Sequence, residues 1–295
     1  MGFFDSFMRN NFDPDVKRYR EEVKQRAREY REEAREFLQE AKELYNDDYK
    51  ELRSEARSKA NRVSDLIKSH NNYKAELLSE LGGEISTTIE NFKRVDIDNR
   101  IIKSINIDSG NNFSVPAISS KAFEVSSFIT NMPGGNFQLS SLSFTSTSDL
   151  ERDRDKAFDQ YLKAQEYLSD VKYAIADLEY VIQCLGNTQK YIEDERQNLS
   201  QLMEKVRPLI QRLTSAMDKQ SYTEQEAKFI KGICRIAEQI KNTLEEQITD
   251  KYGSIQSNYK KYGQRLKDIN EAIPSAPVIS SSSDSWLDNI VIIQY

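Results

Sequence analysis

The 295-residue chain is poor in several residue types on which common folds and sites depend. It has 10 glycines, 6 prolines, two cysteines and a single histidine. With so few turn-forming residues, long helices are favoured over a sheet-rich domain. The two cysteines, Cys184 and Cys234, stand beside apolar residues. They are typical of reduced core thiols rather than of a disulfide framework.

Catalytic and ligand-binding motifs are also lacking. His70 has no second histidine and no nearby cysteine in the sequence, so neither a zinc site nor a histidine-based triad can form around it. We expect it to be a solvated or a seam residue. The acidic residues alternate with Lys and Arg at the spacing of a solvated helix surface. The sequence therefore predicts no enzyme, no cofactor, no metal and no small-molecule substrate.

Neither a strong charge of one sign nor a long apolar run is present. The net charge is -6, with basic and acidic residues interleaved, which argues against a nucleic-acid partner. No apolar run reaches 18 residues, and "MGFFDSFMRNNF" lacks the features of a signal peptide. These observations predict a cytoplasmic protein, or one exported without a cleaved signal, with peripheral membrane association as a further option.

What the sequence does contain is helical periodicity, first over residues 14–81. Asp13 is the predicted N-cap and Pro14 the first helical residue. Large apolar residues recur every seven positions and alternate with alanines, which predicts a coiled-coil seam open to close approach by another helix. These residues are Val16, Val23, Tyr30, Phe37 and Leu44, with Ala27, Ala34 and Ala41. Near Tyr45 to Tyr49 the phase slips by one residue, so we expect a local change of supercoil.

Two further helices are predicted over residues 149–273. Ser148 and Glu151 have the spacing of a capping box, after which apolar residues alternate at steps of four and three as far as Leu185. Gly186 predicts a break or kink, and Pro208 a bend. The third helix is expected over residues 224–272.

The segments 14–81 and 149–217 have almost the same length and are joined by one insertion, which suggests an antiparallel hairpin. The third helix would pack along part of it. The predicted fold class is thus mainly α: an elongated antiparallel bundle of long coiled-coil-like helices with a small β-containing insert at one end.

The insert, residues 82–148, differs from its surroundings. Between residues 95 and 107, isoleucine and valine alternate with polar residues at strand spacing. "NMPGG" separates two arms at 122–130 and 137–145, and no charged residue occurs from Val125 to Ser148. A β-hairpin is the simpler interpretation, with a helical first arm as the alternative. The Ser-rich segment 274–295 ends in an apolar run, and residues 1–13 form an apolar N-terminal segment.

These apolar segments are the candidates for contact with a membrane or a partner protein. The candidate residues are Phe3, Phe4, Phe7, Met8, Phe128, Ile129, Met132, Phe137, Leu139, Ile290 and Ile292.

Long helices with a charge-poor insert at one end resemble the cytolysin A-type helical pore-forming toxins, in which a tongue between long helices meets the membrane. The toxin tongue is apolar, whereas 10 of the 24 residues from Val125 to Ser148 are Ser or Thr. The stretch "YAIADLEYVIQCLGN" is similar to uncharacterised bacterial long-helix proteins. We therefore expect a non-catalytic scaffold or interaction protein that binds a protein partner or itself. The alternative is a membrane-active or pore-forming protein that uses the insert as its tongue.

Overall fold

The computed structural model describes residues 13–89, 146–215, 224–275 and 286, and this part of the chain is mainly helical. Its elements are α1 (Pro14–Leu44), a π-helical turn (Tyr45–Tyr49), α2 (Lys50–Ile89), α3 (Thr147–Ser215), α4 (Glu224–Glu245) and α5 (Ser257–Ala272). The described residues divide into two compact units. The first unit contains residues 13–55 and 146–180, and the second contains the others.

The start of α1 and the seam along it are as predicted. The Asp13 carboxylate accepts a hydrogen bond from the Asp15 backbone N–H at 2.9 Å, which caps the helix, and Pro14 follows at the first helical position. Ala27, Ala34 and Ala41 are buried along one side of α1. The phase slip is confirmed by the π-helical turn at Tyr45–Tyr49, since such a turn adds one residue to the helical ladder.

The direction of helix pairing differs from the prediction. In the first unit Tyr19 donates a hydrogen bond to Glu151, the rings of Tyr30 and Tyr161 pack together, and Glu40 pairs with Lys172. Residues later in α1 therefore contact residues later in α3. The two helices run parallel, and the predicted antiparallel hairpin is wrong.

The second unit has the same parallel direction. Lys59 approaches Gly186, Arg196 donates to Ser69, and Arg207 forms a two-point ion pair with Glu80 at 2.6 and 2.8 Å. The sequence could not decide the direction, because equal arm lengths and heptad spacing suit both directions and the 56 residues numbered 90–145 permit either connection.

Helix α3 has the predicted length of 69 residues and is continuous. It begins two residues earlier than predicted, and Ser146 and Asp149, rather than Ser148 and Glu151, exchange capping hydrogen bonds. It then continues as one α-helix through Gly186 and Pro208 to Ser215, so of the predicted break or kink at Gly186 the break does not occur. Burial of the helix on one side outweighs the local propensity of these two residues.

The predicted third helix is instead two helices, α4 and α5, joined by a tight turn. The Asp250 carboxylate accepts hydrogen bonds from the backbone N–H groups of Tyr252 and Ser254, both at 2.9 Å. Gly253 has φ 85°, a left-handed conformation that suits glycine, and a Cβ there would lie 2.6 Å from Leu185. Periodicity hid this turn because apolar residues continue on both sides of it.

The predicted β-containing insert, the apolar N-terminal segment and the apolar end of the tail lie outside the described residues. Residues 82–89, which the prediction assigned to the insert, continue α2.

Candidate functional site

The second unit contains a cluster of buried ionisable side chains at positions where the heptad spacing calls for apolar residues. On α2, the buried series Val63, Ile67, His70, Lys74 and Leu77 advances by alternating steps of four and three. On α3, Glu195 lies three residues after the buried Ile192 and four before the buried Leu199. Tyr259, at the start of α5, is the fourth member. We refer to His70, Lys74, Glu195 and Tyr259 as the polar cluster.

The contacts of the polar cluster are centred on one carboxylate oxygen. The Tyr259 hydroxyl donates to Glu195 Oε2 at 2.6 Å, and Lys74 Nζ donates to the Tyr259 oxygen at 2.8 Å and to the Thr243 carbonyl at 3.3 Å. His70 Nε2 lies 3.2 Å from the same Glu195 oxygen, at an ion-pair distance without hydrogen-bond alignment. Among the described residues, His70 Nδ1 and Glu195 Oε1 have no hydrogen-bond partner. Helices α2, α3, α4 and α5 all contribute to this site.

Burial and charge together set the ionisation of the polar cluster. Burial lowers the pKa of Lys74 to about 8, against the attraction of Glu195. Burial also lowers the pKa of His70, with Glu195 acting in the opposite direction. For Glu195, burial by itself raises the pKa, but Lys74, His70 and the Tyr259 hydrogen bond outweigh it, and the pKa is lowered. At neutral pH the cluster therefore holds a carboxylate, an ammonium and a neutral imidazole, which together carry no net charge.

The polar cluster is closed to molecules outside the protein. His70, Lys74 and Tyr259 are each 0% exposed. Tyr191 closes one side of the cluster, because its ring lies 6.0 Å from the ring of Tyr259. The Tyr191 hydroxyl occupies the position that a Cβ on residue 263 would take, so the close approach of Tyr191 requires glycine there. A substrate could reach these groups only if the helices separated. In the described part of the chain, no three His, Cys, Asp or Glu side chains are grouped as a metal would require.

A second feature lies on the outer side of α3 in the first unit. Large apolar side chains remain exposed there: Phe158 at 39%, Leu162 at 44%, Tyr173 at 71% and Tyr180 at 53%. At 3.6 residues per turn, these four positions fall within about 60° of the helix circumference. They are well separated from the buried side of α3, where Ala157, Ala164 and Val171 lie. We call these four residues the outer stripe.

The predicted contact residues are not among those that the structure describes. Phe3, Phe4, Phe7, Met8, Phe128, Ile129, Met132, Phe137, Leu139, Ile290 and Ile292 all lie outside them. The prediction missed both the polar cluster and the outer stripe. The signals were present: the four–three alternation places His70 and Glu195 on the seam, and the spacing of Leu162 and Tyr173 gathers apolar residues opposite it.

A mainly helical protein with parallel helix pairs is thus defined by the described residues. None of the described helices combines the length and the apolar character needed to cross a membrane. The chain matches no family model, no curated protein and no solved structure.

Proposed function

We propose that the protein is a non-catalytic helical interaction protein that binds a partner protein through the outer stripe of α3. The observation that carries this proposal is the exposure of Leu162 and Tyr173 on one side of a helix whose opposite side is already buried. Exposed apolar side chains that share one side of a helix, rather than being scattered around it, mark surfaces at which proteins associate. Tyrosine is favoured at such surfaces because it combines a large contact area with a polar hydroxyl.

The internal structure supports a scaffold role. Along the seam of the first unit, Ala41, Leu168 and Val171 form a buried cluster with Phe37 and Ile175 packed against it. The ring pairs of Tyr30 with Phe158 and Tyr161 extend this packing towards the outer stripe, so Phe158 is held in place from one side. A partner would meet a preformed helical surface and would lose little free energy in ordering it.

Photo-crosslinking tests the proposal in the cells that make the protein. A benzophenone amino acid placed at residue 162 or 173 should form a covalent adduct with a partner protein, because both side chains point into the proposed contact. Glu32 is exposed on α1, on the side away from its buried alanines, and is the matched control position. An adduct of twice the mass of the chain, 34.2 kDa, would identify the partner as a second copy. Absence of adducts from residues 162 and 173, or equal adducts from residue 32, would contradict the proposal.

Liposome flotation separates this function from the alternative of a membrane-active protein. An interaction protein of the proposed kind should stay at the bottom of the gradient in the presence of vesicles of phosphatidylcholine and phosphatidylglycerol. Flotation, together with release of a trapped dye, would favour the membrane-active alternative.

A further inference from the structure

A row of acidic residues follows the outer stripe along α3. Its members are Asp155, Asp159, Glu166, Asp170 and Asp177, all exposed. Their steps of four, seven, four and seven residues place them on one side of the helix, next to the outer stripe and away from the buried side. We call these five residues the acidic row.

The acidic row is only partly neutralised within the chain. Asp155 pairs with the adjacent Arg154 at 2.6 Å. The other four carboxylates form no ion pair with the described residues. On the other side of the outer stripe, Lys172 is paired with Glu40 at 2.7 Å. Lys156 and Lys163 lie beside the row, but its five carboxylates outnumber them, so this edge of the stripe carries a net negative charge.

From this juxtaposition we infer that the partner bound by the outer stripe is a basic amphipathic helix, an inference that rests on the proposed function. The stripe from Phe158 to Tyr180 is about 33 Å long, which matches a helix of roughly 22 residues. Such a helix would place apolar residues at successive turns on the stripe and Lys or Arg beside the acidic row. Complementary charge of this kind selects the partner and speeds its association.

The charge of the acidic row makes other occupants poor matches. Nucleic acid and anionic lipid carry phosphates that the carboxylates would repel. An antiparallel pair of identical outer stripes would bring two acidic rows side by side, and like charges at such flanking positions oppose pairing.

Two designed helical peptides serve as the probe. Both have leucine at alternating steps of three and four residues, and they differ only in carrying Lys or Glu at the flanking positions. Fluorescence anisotropy with the full chain should show the Lys peptide binding about tenfold or more tightly than the Glu peptide, with weaker binding as salt is raised.

Charge reversal tests the role of the acidic row. The variant Asp159→Lys, Glu166→Lys, Asp170→Lys and Asp177→Lys should lose about tenfold or more in affinity for the Lys peptide and gain affinity for the Glu peptide. The matched control reverses four exposed glutamates of α1, Glu21, Glu32, Glu33 and Glu36, and should leave the preference unchanged. Circular dichroism establishes that both variants are folded.

The outcomes separate this inference from the proposed function. If both peptides bind equally and Leu162→Ser with Tyr173→Ser removes both, the stripe is an interaction surface and the inferred partner chemistry is wrong. If the control reversal weakens binding as much as reversal of the acidic row, the attraction is general and the inference is also wrong. If Leu162→Ser and Tyr173→Ser leave peptide binding unchanged, or if neither peptide binds, the outer stripe is not the interaction surface and the proposed function is contradicted.

Discussion

In the first unit the seam beside α3 is filled by alanine and aromatic side chains, whereas in the second unit the seam holds His70, Lys74 and Glu195. Both seams follow the same alternation of four and three residues. The apolar seam gains stability from burial alone, and a small shift of one helix would still bury apolar surface. The polar seam is different, because a shift would separate Glu195 from Tyr259 and Lys74. A polar residue at a seam position fixes register at a cost in stability.

Removal of one charge from the polar seam should have the largest effect. Glu195→Leu leaves the Lys74 ammonium buried without its carboxylate, so we expect a loss of about 3–5 kcal/mol in the free energy of unfolding. Urea denaturation at pH 7, followed by circular dichroism, measures it.

The control removes all the ionisable groups together. His70→Leu, Lys74→Met, Glu195→Leu and Tyr259→Phe in one chain should recover most of the lost stability, because no unpaired charge remains buried. If Glu195→Leu alone were as stable as the wild type, the polar seam would not depend on the pairing of its buried charges and would not differ from the apolar seam.

Overpacking of the apolar seam should have a smaller effect. Ala34 is 2% exposed and lies on the same side of α1 as Tyr30 and Phe37, whose rings both pack on Tyr161. Ala34→Leu should therefore destabilise the protein by about 1–3 kcal/mol. Glu33→Leu, at the adjacent exposed position, is the control and should change little. A melting temperature unaffected by Ala34→Leu would mean that this seam has room for larger side chains.

These two seams also show how far the sequence alone can be interpreted. The cap at Asp13, the buried alanines and the phase slip at Tyr45 each depend on residues close together in the sequence, and they were predicted. The direction of pairing was not, because Tyr30 meets Tyr161 through contacts that heptad spacing leaves undetermined.

The site was harder to predict than the fold. His70 was expected to be either solvated or a seam residue, and its burial shows the seam alternative. Lys74 was not recognised as a core position, because a search for apolar periodicity does not count a charged residue. Their burial depends on Glu195 and Tyr259, more than 120 residues away along the chain. Only the tertiary structure brings them together.

The pH dependence of stability gives a further test of the polar seam. His70 is the only histidine of the chain, so any effect of histidine titration on stability comes from that seam. Burial lowers its pKa in the folded state, so below about pH 6.5 the unfolded chain binds a proton that the folded chain does not. Stability is therefore lost as the pH falls through this range. We expect a loss of about 1 kcal/mol between pH 7.5 and 5.5, measured by urea denaturation at each pH.

The variant His70→Gln isolates this effect, since it removes the titrating group and keeps a polar side chain. Its free energy of unfolding should change less between pH 7.5 and 5.5 than that of the wild type. An equal dependence of the free energy of unfolding on pH in the wild type and in His70→Gln would show that His70 is not the source.

Lys74 should affect stability in a second pH range. Its pKa of about 8 in the folded state is below its usual value, so the free energy of unfolding should rise as the pH increases above 8.

The smallest effect on stability is expected at the outer stripe, and this expectation separates an interaction surface from a seam. Tyr173 is 71% exposed and Leu162 is 44% exposed, so Leu162→Ser and Tyr173→Ser should change the free energy of unfolding by no more than about 0.5 kcal/mol each. Val171, in the same helix and 0% exposed, is the matched interior position. Val171→Ser should cost about 2 kcal/mol or more, because it buries a hydroxyl and removes apolar contacts. If Tyr173→Ser were as costly as Val171→Ser, the outer stripe would be packed against this chain in solution, and a partner could not use it.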